Sequence, residues 1–297
     1  MRFINPRTDL AFKKIFGSEG SKPILISFLN AMLHAGEPEI VDLEILDPYS
    51  IPRLEGMKDS YLDVRSQLRS GETVLIEMQV LNVAGFEKRV LYNAAKEYAN
   101  QLERGTDYES LNPVIALTIT DFILFPEPDM QNRVISRFAL IEKEEFIEYP
   151  NGDVELVFVE LPKFQVAEAD LHSLTEKWLY FLRTAPDVSA VPKTLEEVDE
   201  IQEAFEIAEF AKLSREEERA LEKKAQWVAD QKRFQKGLAE MEQALGTMKQ
   251  QVEDEKQRAE DEKQRAEDEK QRAEDEKQRA DKLAQRLREA GMDPDEM

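Results

Sequence analysis

The sequence predicts a mixed α/β domain over residues 1–192 in the order α, β, β, β, α, β, followed by helices and a long C-terminal heptad-repeat helix. Three observations carry this reading. Apolar, β-prone stretches at 39–47, 59–67 and 72–80 lie between segments of helical periodicity. The uninterrupted run VIALTIT within 113–120 has no polar alternation, which suits a strand covered on both faces. The heptad EDEKQRA occurs four times in succession from Glu253 to Ala280, a seven-residue period that only a helix uses.

Taken in order, Thr8 and Asp9 can cap a short helix through Phe16 whose apolar side is Leu10, Phe12, Ile15 and Phe16. A second helix spans about 22–34, and the three strands follow. Gly85 and Gly105 bound a helix from about Phe86 to Arg104, and the apolar strand comes next. Further strands are predicted at 136–142 and 153–161 and a helix at 173–185. Residues 193–235 read as polar helices that dock on or lead away from the core, with Phe205, Ile207, Phe210, Leu213, Leu221 and Trp227 available for contact.

Residues 236–290 form the heptad helix, and 291–297, with Gly291 and Pro294 as stop signals, a flexible tail. Leu238, Met241, Leu245, Met248 and Val252 follow the 3,4 spacing of a coiled-coil seam. In register, the repeats place only Ala and Glu at seam positions, so they bury little apolar area. Pairs such as Asp254–Arg258 and Lys256–Glu260 support the helix from within its own chain. Two readings stand: a solvated stalk, of about 115 Å for residues 214–290, or a homo-oligomeric coiled coil seated on the Leu/Met/Val part.

Composition narrows the chemistry. With no Cys, thiolate metal sites, thiol nucleophiles and disulfides are excluded, and with only His34 and His172 so is a multi-histidine site. A reducing, cytoplasmic setting is expected, with no membrane span, since no run of about 18 apolar residues occurs. Scattered glycines supply neither a P-loop nor a dinucleotide fingerprint. The net charge of -22 is uneven: 13 basic against 15 acidic residues over 1–104, 6 against 16 over 105–192, and 21 against 31 over 193–297. Bulk electrostatics therefore oppose nonspecific attraction to nucleic acid. Any such contact is local, and the near-neutral first third is where it fits.

The turn Arg69-Ser70-Gly71 joins two strands. If it closes a hairpin centred on Ser70, Leu62 faces Met78, Val64 faces Ile76 and Ser66 faces Val74, which makes one apolar face. The other face then sets Asp63 opposite Glu77 and Tyr61 opposite Gln79. Like charges so placed are destabilising unless compensated. A divalent cation compensates, and two carboxylates with a nearby carbonyl suit Mg2+. The alternative is an ordinary polar face on an amphipathic hairpin.

The segments TDLAFKKIFG, KDSYLDVRSQLRSGETVLIEMQV, RVLYNAAKEYANQLERGTDYESLNPVIALTI and AFEIAEFAKLSREEE, in that order, resemble the Rpn family of recombination-promoting nucleases, also described as transposases, within the PD-(D/E)XK nuclease superfamily. The resemblance spans most of residues 1–230 and does not reach the heptads. It implies a restriction-endonuclease-like core and Mg2+-dependent cleavage of DNA phosphodiesters. By the same resemblance Asp63 stands at the metal-binding aspartate, Glu77 at the acidic residue of the (D/E)XK element and Gln79 at its final position. That position is usually Lys in the wider superfamily; Gln79 can orient a water but adds no charge, although glutamine is the usual form in the resembling family. Lys13, Arg89 or Lys96 is then expected to supply the cation.

Asp9 is either a further acid near the metals or a helix cap. Tyr92 either contacts substrate phosphate or packs, and Lys88, Arg89 and Lys96 form either a basic strip for DNA or a solvated face. The functional expectation is a Mg2+-dependent DNA endonuclease in recombination or mobile-element processes. The alternative is a catalytically weak or inactive nuclease-fold protein acting as a DNA-binding or coiled-coil interaction module.

Overall fold

A computed structural model of the chain describes residues 2–50, 60–102, 105 and 107–289. It divides into two compact units, Met1–Gln231 and Lys232–Met297. The stop signals Gly291 and Pro294 and the tail 291–297 lie outside the described residues.

In the first unit, α1 (Asp9–Phe16) and α2 (Lys22–Leu33) precede β1 (Leu43–Leu46). A short pair, β2 (Tyr49–Ser50) and β3 (Ser60–Tyr61), forms its own two-stranded sheet. Then come β4 (Val64–Leu68), β5 (Thr73–Gln79), α3 (Phe86–Asn100) and β6 (Val114–Thr120). β7 (Ile135–Phe138), β8 (Val154–Glu160), α4 (Leu174–Thr184) and α5 (Asp199–Ile207) complete the layers, and α6 (Arg215–Glu289) follows. The main sheet has six strands in the order β1-β4-β5-β6-β8-β7. β5, β6 and β8 run parallel, and the others pair antiparallel. This is the predicted αβββαβ core with flanking helices, and VIALTIT is central as its composition required.

Helices cover both faces. On one, Val74, Ile76, Met78, Leu117, Ile119, Val157 and Val159 pack against α1, α2, α4 and α5. An aromatic cluster of Phe12, Phe16, Phe28, Trp178, Phe181, Phe205 and Phe3 links these helices through ring contacts of 4.6 to 6.4 Å. The other face holds Leu75, Val114, Ala116 and Phe158 under Phe86, Val90 and Ala94 of α3. The N-terminal arm is tied to the segment after α5 by Ile4 N–H to Ala208 O and Phe210 N–H to Arg2 O, both 2.8 Å. Phe205 is buried and Ile207, Phe210, Leu213 and Leu221 are partly so, whereas Trp227 is half exposed and does not join the core.

Several expectations change in detail. The first predicted strand shortens to Leu43–Leu46, because the Asn30 amide brackets Ile40 by accepting from its N–H (2.8 Å) and donating to its carbonyl (2.9 Å). The strand expected at 136–142 ends at Phe138, beyond which an isolated bridge Ile141–Glu148 closes an exposed loop. Neither Thr8 nor Asp9 caps α1 with its side chain; the Thr8 hydroxyl donates to Asn5 O instead.

In the second unit, α6 continues as a solvated helix through the repeats. Its recurring support is a ladder of Gln-to-Asp bonds four residues on: Gln250–Asp254, Gln257–Asp261, Gln264–Asp268 and Gln271–Asp275, at 3.0 to 3.2 Å. Lys256 pairs back to Glu253 at 3.9 Å rather than forward to Glu260. Each of the four heptads is thus joined to the turn before it by an i,i+4 contact. Leu238, Met241, Leu245, Met248 and Val252 are all exposed.

Candidate active site

The β4–β5 hairpin has the predicted register, Val64↔Ile76, Arg65↔Leu75, Ser66↔Val74 and Gln67↔Thr73. Its turn depends on Gly71, at φ +111°, where a Cβ would come within 2.6 Å of the Asn112 side-chain oxygen. The register stops at Val64. Asp63 N–H donates to the carbonyl of Ile76 (3.2 Å), so Asp63 and Val64 both stand opposite Ile76. One extra residue in one strand is a β-bulge, and it reverses the side-chain alternation beyond it.

Two predicted pairings are therefore corrected. Leu62 does not share the face of Val64 and Met78 but packs with Leu75 and Phe86 on the α3 side. Tyr61 pairs with Tyr49 instead of facing Gln79. Asp63 is displaced from the position directly across from Glu77, and its carboxylate takes over as an acceptor for the β5 backbone: Met78 N–H donates to Asp63 Oδ2 at 2.7 Å. That bond ties Asp63 to the residue next to Glu77.

Both carboxylates are shielded, with side-chain exposures of 10% for Asp63 and 15% for Glu77. Burial raises the Asp63 pKa to about 6, helped by the negative charge of Asp9 and opposed by the Met78 N–H, Lys13 and Lys224. Burial also raises Glu77, with Asp63 and Asp9 adding to the rise and Arg89 opposing it. Asp9, Asp63 and Glu77 thus lie within electrostatic reach of one another at one end of the sheet.

Cations from three helices surround them. Lys13 of α1 stands 3.8 Å from Asp63 Oδ1. Arg89 of α3 donates through one nitrogen, Nη2, to Glu77 Oε1 and to Gln79 Oε1, the latter at 2.9 Å. Lys224 of α6 stands 3.0 Å from Asp9 Oδ2. Gln79 is fixed at its other end, since its Nε2 donates to Leu81 O at 2.7 Å, which turns its oxygen toward the guanidinium.

The remaining candidates separate. Lys96 is buried, at 2% exposure, so no basic strip of Lys88, Arg89 and Lys96 forms on the α3 surface. The inward side of α3 is wide enough to take in Asn93, Ala94, Lys96 and Glu97. Glu97 is held by Arg65 of β4, with Nε at 3.1 Å and Nη2 at 2.5 Å from its Oε1. Tyr92 is exposed on α3. Lys224 was not among the sequence candidates, and the 215 positions between it and Asp9 leave no local pattern to find it by.

The donor chemistry fits a hard divalent cation. Two carboxylates offer oxygen ligands, and each keeps lone pairs beyond those used by Met78 N–H and Arg89. Among the described residues no group of three or more His, Cys, Asp or Glu side chains converges. A bound ion would therefore draw its other ligands from water, backbone or substrate, the habit of Mg2+.

A mixed six-stranded sheet built in the order αβββαβ with flanking helices is consistent with a PD-(D/E)XK fold. The family model described as PD-(D/E)XK nuclease family transposase matches residues 6–237, and the chain belongs to that family. Membership supports a nuclease- or transposase-like function, and PD-(D/E)XK nucleases generally use divalent metals. No curated protein and no solved structure matches the chain. Among the described residues no helix is long and apolar enough to cross a membrane.

Proposed function

We propose that this chain is a Mg2+-dependent DNA endonuclease that hydrolyses phosphodiester bonds in recombination or mobile-element processes in the cytoplasm. The observation that carries the reading is the bulge at Asp63. It spends a ladder position to aim a carboxylate at the β5 backbone beside Glu77, in a shielded place where two acids repel each other. Asp63 and Glu77 would hold the metal, which when bound polarises the scissile phosphate and acidifies a water. Gln79 is proposed to act through Arg89, presenting an oxygen that orients the guanidinium. The Arg89 guanidinium offers hydrogen-bond donors and no acceptor, so its part is to stabilise charge building on the phosphorus oxygens.

Purified protein with Mg2+ is expected to nick supercoiled plasmid, and to lose this with EDTA and in Asp63→Ala and Glu77→Ala proteins that melt no lower than the parent. Arg89→Ala should cut at least about a hundredfold more slowly, the scale for losing one preorganised charge-stabilising donor. Cutting at the parental rate would remove Arg89 from the mechanism. The second reading, an inactive module that binds DNA or partners, draws on Gln79, whose amide is already engaged at both ends. Failure to cut with any divalent metal would favour it.

Self-association through the heptad helix is proposed as well, confined to Leu238–Val252. In the repeats, Lys256 and Arg258 and their equivalents flank the seam and would repel a second copy. Sedimentation should show a dimer or higher oligomer that Met241→Glu with Leu245→Glu dissociates; a monomeric parent makes the helix a stalk.

A further inference from the structure

The start of α6 lies along α1. Its first turn is closed by a reciprocal cap, Ser214 N–H to Glu217 Oε2 (2.7 Å) and Glu217 N–H to Ser214 Oγ (3.2 Å). The same Glu217 carboxylate pairs with Lys14 at 2.8 Å, and these contacts hold its pKa down to about 2. Seven residues on, two helical turns along the same face, Lys224 pairs with Asp9. Residue 217 meets residue 14 and residue 224 meets residue 9, so the two helices run antiparallel and α6 carries Lys224 to the end of α1 where the acids lie.

Lys13, Arg89 and Lys224 have side-chain exposures of 45%, 44% and 39%, above carboxylates that are nearly covered. Lys13 and Arg89 each face one of those buried acids. Lys224 does not: its partner Asp9 is itself half exposed, at 50%. An ion pair that open to water contributes little, about 0 to 1 kcal/mol, and is readily exchanged. The ammonium lies over the half-exposed Trp227 ring, 5.2 Å from its centroid. In a chain of net charge -22, a half-exposed ammonium within electrostatic reach of the shielded Asp63 is a local anchor for an anion.

Resting on the nuclease reading above, we propose that Lys224 is a substrate-binding residue: it leaves Asp9 to hold a DNA backbone phosphate beside the scissile bond, and Asp9 marks its place when DNA is absent. The helix that leads into the repeats is then a working part of the site.

The test is binding of a fluorescein-labelled DNA duplex to the full chain in Ca2+, by anisotropy over a range of salt concentrations. Lys224→Met should weaken binding about fivefold or more and reduce the slope of log affinity against log salt by about one, the signature of one lost phosphate contact. Lys224→Arg should keep both. Asp9→Asn should tighten binding, and Asp9→Asn with Lys224→Met should bind no better than Lys224→Met alone. Lys14→Met, which loosens α6 without touching the site, should leave the salt slope unchanged. Parental affinity and slope in Lys224→Met, or an equal loss in Lys14→Met, would overturn the proposal and leave Lys224 a docking contact of α6. A parent that binds no duplex at all would overturn the nuclease reading itself.

Discussion

Asp63→Asn should be more stable than the parent in metal-free buffer near about pH 7.5, by on the order of 1 to 3 kcal/mol, while cutting DNA at least about a hundredfold more slowly. The sign follows from the raised pKa. Below the ordinary value of 3.8 the carboxyl is protonated in both folded and unfolded chains and costs nothing. Between 3.8 and about 6 the folded chain holds the proton more tightly, so stability falls as pH rises. Above about 6 both forms are ionised, and the folded protein carries the full cost of a shielded negative charge. Asparagine removes that charge and keeps an oxygen for Met78 N–H. The advantage of the variant should shrink as pH drops through this window, and Mg2+ should raise the melting temperature of the parent but not of the variant. Urea unfolding at both ends of the window checks it. A variant less stable than the parent at the upper end would mean that Asp63 is a structural ion-pair partner of Lys13.

The hairpin was legible because two local signals agree: a glycine turn and apolar residues at every second position on both sides. They fix four paired positions. The bulge was not legible, for a physical reason. Leu62 is apolar and finds a core on either side of the sheet, so reversing its direction produces no mismatch for a pattern to register. Lys96 misleads in the opposite way. Its charge marks it for solvent, yet the buried side of α3 takes it in together with Glu97, which Arg65 of the sheet holds. Gln79 adds no charge in the sequence; in the fold its oxygen accepts from the same Arg89 nitrogen that donates to Glu77. Lys224 and Asp9 depend on how α6 lies on α1, which is a property of the assembled helices and of no segment alone.

Lys163→Met should lower stability by about 3 to 5 kcal/mol, the cost of stranding one member of a buried ion pair. Glu160 ends β8 in the sheet row that runs through Thr120 to Gln79. Its side chain is 0% exposed and that of Lys163 2%. Glu160 Oε1 accepts from Leu124 N–H (2.7 Å) and Phe125 N–H (3.1 Å), and Oε2 from Lys163 Nζ (2.5 Å). The ammonium also donates to the carbonyls of Phe125 and Met130, both at 2.9 Å, which uses all three of its protons. Methionine matches the stem in volume but leaves a dry carboxylate with two amide donors and orphans two carbonyls. The segment so fastened begins at Asp121, which the Arg7 guanidinium of the N-terminal arm grips at 2.7 Å, so its loosening would spread to the sheet end that carries the acids. Glu160→Gln with Lys163→Met should recover a good part of the loss, because the uncompensated charge is gone and only the backbone bonds remain to be satisfied. Urea midpoints at constant slope read both numbers. A loss under about 1 kcal/mol for the single variant, the range of surface pairs, would show that water reaches Glu160 and that the staple is weaker than its burial implies.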